Sequence, residues 1–249
     1  MRQIVALLIL ALALVFPSSA PAQDGSRLSL TAIEAAKEFN IYLVQAAVAR
    51  NQLDLAAPPG SSLFDKIFDT RAIQTLPPPA ALDLPWLSEW LNVAATTYLS
   101  IVKFGADPKG EPLQQAVQEN VIRNEDKLSV AMDFLLRLMP RMTISADAFM
   151  QSLPQKDRSL PARKQGMDQV RNGYLQTVSG ALSFISGGPK AENARLLARA
   201  LRDTAATWSK LASAEERTQL LGLLAQARTG AKDLTVDDDL ITVSKVVAE

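Results

Sequence analysis

Beyond residue 22, apolar side chains recur along this chain at intervals of three and four. That is the repeat of one helix face, and the alternation expected of strands is missing. Thr31-Ala-Ile-Glu34 reads as a capping box opening a helix to about Gln52, stopped by Ala57-Pro58-Pro59-Gly60. A short amphipathic piece follows over Ser62–Asp69, with Leu63, Phe64, Ile67 and Phe68 on one face, and then a stiff spacer, Leu76-Pro77-Pro78-Pro79. Pro85 suits the first turn of a helix whose stripe is Leu87, Leu91, Ala94, Tyr98, Ile101 and Val102. Gly105–Gly110 predicts a turn.

A long helix is expected from Pro112 to about Met139, broken or kinked at Pro140, then a short helix over Ser145–Leu153 and a charged loop over Pro154–Pro161. Ala162–Ser186 and Ala191–Ala212 read as helices separated by Gly187-Gly188-Pro189. Ser213-Ala-Glu-Glu216 is a second capping box, opening a helix to about Arg228 with Gly230 as its stop. In the tail, Val236, Leu240, Val243 and Val247 keep helical spacing, and Asp237 to Asp239 fall in a first turn, where negative charge suits the helix dipole. The pattern predicts an all-α bundle of six to eight helices, mostly antiparallel hairpins, filling one domain over 23–249 with a candidate sub-boundary at 154–161.

The first 22 residues follow another logic. Met1-Arg2-Gln3 is a positive start, Ile4–Phe16 an apolar run, and Ala20-Pro21-Ala22 a small-residue cleavage pattern. This order is that of a secretory signal peptide, and a run of this length is shorter than the ~20 residues of a membrane-spanning helix. Cleavage after Ala22 predicts a mature chain without a membrane span. Asn-x-Ser/Thr acceptors are absent, so a bacterial periplasmic or secreted location is favoured over a glycosylated eukaryotic one.

Composition narrows the chemistry. Twenty-six basic residues balance 26 acidic ones, and losing Arg2 with the leader leaves 25 against 26, a net −1. Such a balance offers no long-range attraction to nucleic acid or an anionic bilayer. The chain has neither cysteine nor histidine. Disulfide frameworks, thiolate metal sites and imidazole catalysis are therefore excluded, and no cofactor or metal site is expected.

Four groups of residues are candidates for function. In the helix from Pro112, Asn120 and Asn124 replace apolar residues on the stripe Leu113, Val117, Leu128, Ala131 and Leu135, with Arg123 and Lys127 alongside. Buried without partners, each amide would cost ~1–3 kcal/mol. Three readings follow: a pocket for a small anionic or hydrogen-bonding ligand, a polar network fixing helix register, or a rotated stripe with both amides in water. Folding the helices at Gly105–Gly110 would bring Tyr98 level with Asn120, and Tyr174 is a further candidate lining residue. Arg195, Arg199 and Arg202 form a basic ridge suited to an acidic partner or, more blandly, to a solvated ion-paired face. Glu119, Arg123 and Lys127 have the spacing of an exposed ion-pair ladder. Trp86 and Trp90 could form a sugar platform, but their apolar surroundings favour a core role.

The leading expectation is an exported, non-catalytic bundle that binds a partner or organises envelope components. The alternatives are a small-ligand binder with its site between the Tyr98 and Asn120 helices, and an envelope hydrolase using carboxylates or a Ser/Lys pair.

Overall fold

Leu128, Ala131, Met132, Phe134, Leu135, Leu136, Leu138, Met139 and Met142 leave only one polar stripe, Ser129, Asp133, Arg137 and Arg141 at intervals of four, so the helix they form is apolar around most of its circumference and needs cover on more than one side. The computed structural model, which describes residues 23–49, 53–105 and 112–249, places them on a central helix. The helices are α1 (Gln23–Val48), α2 (Gly60–Ile67), α3 (Thr70–Thr75), α4 (Leu84–Val102), α5 (Pro112–Arg123), α6 (Glu125–Ser152), α7 (Gln155–Arg158), α8 (Pro161–Ser186), α9 (Ala191–Trp208), α10 (Ala214–Gly230) and α11 (Leu234–Ala248). Single 3₁₀ turns lie at Ala81–Asp83 and Ser209–Leu211, and no strand occurs among the described residues. The fold is an all-α bundle, with eight of its helices twelve residues or longer.

Helix α6 divides the molecule. On one side α4 packs against it and α1 lies over α4 and α2, while α3 and the first 3₁₀ turn also touch α6. On the other, α8 and α9 both pack on α6, and the contacts α8–α9, α9–α11, α11–α10 and α10–α8 close a four-helix ring. One continuous apolar cluster runs through both sides. Its aromatic centre joins Trp90 to Phe134 (5.2 Å between centroids) and Phe134 to Phe68 (5.6 Å, edge-on). The two tryptophans are core residues: the Trp90 indole N–H donates to the Ile67 carbonyl at 3.0 Å and that of Trp86 to Asp83 at 3.1 Å.

Several boundaries differ from the sequence reading. Thr31 does not open α1, which already runs from Gln23; its hydroxyl donates instead to the Arg27 carbonyl within the helix. The long helix expected from Pro112 breaks at Asn124, not at Pro140, and α6 continues through Pro140 to Ser152, absorbing the short helix expected at 145. Proline removes one backbone donor from a helix, but burial on α6 outweighs that loss. The charged loop after Pro154 contains the single turn α7, and the Arg158 guanidinium donates to the carbonyls of Leu153 and Gln151. The ladder Glu119–Arg123–Lys127 does not form, because Lys127 turns to Asp65 at 2.7 Å and lies over the Phe64 ring.

Other signals match the structure. The Ser213 capping box is complete, with Glu216 N–H donating to the Ser213 hydroxyl and Ser213 N–H to the Glu216 carboxylate. The tail is helix α11, capped by Asp233, which accepts from the N–H groups of Thr235 and Val236. Gly188 takes φ +70° in the α8–α9 turn, a conformation glycine adopts without strain. The predicted leader 1–22 and the turn residues 106–111 lie outside the described residues.

Because Phe134 is fully buried on α6 against Phe68 and Trp90, Phe134→Ala should cost about 3–5 kcal/mol in urea unfolding, against less than about 0.5 for exposed Ile122→Ala. Equal losses would mean that this aromatic centre does not hold α6 in the core.

Candidate functional site

The asparagine pair sits where α4, α5 and α6 converge. A helix C-terminus leaves carbonyls without intrahelical donors, and one side chain satisfies the last carbonyl of α4 together with one just past the helix. The Asn120 amide nitrogen donates to Val102 O at 3.2 Å and to Phe104 O at 2.7 Å. Asn120 and Asn124 are both buried. The Asn124 amide nitrogen in turn donates to Asn120 O at 3.1 Å, and the Asn124 backbone (φ −107°, ψ 22°) makes the break from which α6 restarts. The pair therefore joins three helix ends through backbone carbonyls, and Asn120 reaches the α4 backbone, not the Tyr98 hydroxyl.

The other candidates scatter around this junction. Tyr98 is half-buried on α4, and burial pushes its hydroxyl up to about 12. Arg123 is exposed at the end of α5. Tyr174 is fully buried on α8, whose main neighbours are α6, α9 and α10, so it is not brought together with Tyr98 and Asn120. Its hydroxyl lies beside Thr204 without completing a hydrogen bond to it, and burial raises its pKa.

The basic ridge of α9 is drawn largely into ion pairs within the chain. Arg195 donates to Asp233, the cap of α11, at 2.5 Å, and this contact holds its guanidinium pKa above the usual range. Arg202 reaches Asp239 at 2.6 Å and Asp203 at 2.9 Å, while Arg199 is exposed. The chain of charges continues inward: Arg137 on α6 donates to Asp203 at 3.3 Å and to Asp133 at 2.8 Å. Alternating charges thus tie α6 to α9 and α9 to α11. Asp133 is buried, and desolvation raises its pKa despite the adjoining Arg137 cation. A second clamp joins the N-termini of α6 and α9. Glu125 accepts from the Lys190 backbone N–H and the Asn193 amide, each at 2.7 Å, and Asp126 accepts from Asn193 at 2.8 Å and from the Lys190 ammonium at 2.7 Å. The Lys190 hydrogen bond holds the Asp126 carboxyl below its usual range.

What the sequence reading missed is the outer face of α1. Its inner face carries Ala32, Ala35, Ala36, Phe39, Leu43 and Ala46, all buried. Its outer face carries Leu30, Ile41, Val44 and Val48, which are 54, 59, 62 and 80 % exposed. The signal was in the sequence. The small alanines take the inward side, so the larger aliphatic residues at 30, 41, 44 and 48 form a second apolar stripe that a search for one stripe passes over.

Compared with models of known families, with curated proteins and with solved structures, the chain matches none.

Two outcomes test the polar junctions. Asn120→Ala strands two carbonyls and should cost about 1–3 kcal/mol in chemical unfolding, and Asn120→Asp more, since a carboxylate would then face those carbonyls; a neutral effect of both would remove the junction's structural role. For Asp133, the raised folded pKa means the native state binds the proton first. Its contribution is therefore most favourable below the ordinary aspartate value of ~3.9 and is lost as pH rises through the raised folded value. Urea unfolding across pH should show Asp133→Asn gaining on the wild type as pH rises through that window. The opposite slope would contradict the burial account.

Proposed function

We propose that this protein is exported to a bacterial envelope and works there without catalysis, as a helical bundle that docks a protein partner on the outward face of α1. The leader Met1–Ala22 supports the export step. The lack of histidine and cysteine narrows the catalytic options, and the arginines Arg137, Arg195 and Arg202 are engaged in holding helices together. The observation that carries the docking reading is the row Leu30, Ile41, Val44 and Val48. A helix apolar on two faces is expected to have both covered, and here only the inner one is.

A photoreactive amino acid placed at Val44 in living cells should yield a discrete protein adduct, while the same group at exposed Arg199 should not. The recovered chain should begin at Gln23. Absence of any adduct from Ile41, Val44 and Val48 would overturn the docking reading, and a product retaining Met1 would overturn export by cleavage.

A further inference from the structure

Resting on that docking reading, we infer that the occupant of the α1 face is a second copy of this chain, paired α1 to α1 in antiparallel fashion. The outward stripe, including half-buried Ile33 and exposed Lys37, runs Leu30, Ile33, Lys37, Ile41, Val44, Val48. Its spacing is nearly symmetric about Phe39: Leu30 and Val48 lie nine residues to either side, Lys37 and Ile41 two residues to either side, and Ile33 and Val44 six and five. A surface that reads almost the same in both directions suits a two-fold interface, in which each patch meets its own twin. A two-fold axis at the level of Phe39 sets Leu30 against the twin's Val48 and lays the Lys37 stem on the twin's Ile41.

Charge fits the same register. Arg27, Glu34 and Glu38 flank the stripe and are exposed, and among the described residues Glu34, Lys37 and Glu38 form no ion pair within the chain. In the antiparallel pair, Lys37 stands about three residues, or ~4.5 Å along the axis, from the twin's Glu38, so the one cation of the stripe meets a carboxylate. With the leader removed, the balance of 25 basic and 26 acidic residues leaves little net repulsion between copies. The stripe is ~27 Å long, and at a helix width of ~10 Å the pair buries on the order of 540 Å² in total. That is well under the ~1,200 Å² of a stable complex, so the association is weak and reversible.

Sedimentation velocity over a concentration series of the purified chain tests this. The weight-average mass should rise from one chain toward two and fall back on dilution, and Ile41→Glu, with unchanged circular dichroism, should abolish the rise. Lys37→Glu and Glu38→Lys should each weaken self-association about tenfold or more, because each sets like charges together, and an equimolar mixture of the two should regain it. A monomer at every concentration, a dimer indifferent to Ile41→Glu, or a mixture that fails to recover would overturn the proposal. The Val44 adduct separates this from the wider reading: a different protein in the adduct sinks self-pairing and keeps docking, whereas no adduct sinks docking itself.

Discussion

The whole structure depends on covering α6. Its run from Leu128 to Met142 is too apolar on too many sides to lie on a surface, so helices must pack around it: α4 with α3 from one direction, α8 and α9 from the other. The breaks in the chain follow from that demand. Asn124 lets the chain leave α5 and restart along the core axis, and Asn120 at the same corner satisfies the end of α4. Pro140, which in an exposed helix would be a stop, is carried through because packing on both sides holds the helix together.

Polar residues serve this packing. Asp133, Arg137, Asp203, Arg202 and Asp239 alternate in charge from the middle of α6 to α11, and the pairs at Arg195 and Lys190 close neighbouring helix ends. Pairs of this kind between exposed groups are worth little each, median about 0–1 kcal/mol, while a buried carboxylate beside its cation mainly penalises misplacement. They join α6 to α9 and α9 to α11 at fixed points along their lengths.

How much of this was legible follows from what each signal measures. Capping chemistry is local, so the Ser213 box, the Gly187-Gly188-Pro189 turn and the helical tail read correctly. Two local signals did not set a boundary: Thr31 lies inside a helix that begins upstream of it, and α6 runs on past Pro140, where a break was one of the two outcomes the proline allows. The asparagine pair stood out as an anomaly on an apolar stripe, but the partners of Asn120 are the carbonyls of Val102, at the end of α4, and of Phe104 just past it, eighteen and sixteen residues back, which no spacing rule points to. The α1 surface was hidden for the opposite reason: each of its apolar residues is ordinary, and only knowledge of which side the alanines occupy makes the remaining stripe visible.

The outer apolar face of α1 is left uncovered by the bundle, and on the proposed function another protein surface covers it. Since the chain has no cysteine, a single Val44→Cys supplies the sole thiol for labelling. In dilute purified protein it should react with a maleimide as fast as Arg199→Cys, and in intact cells several-fold more slowly while Arg199→Cys is unchanged. Equal reaction of Val44→Cys in both settings would contradict the account.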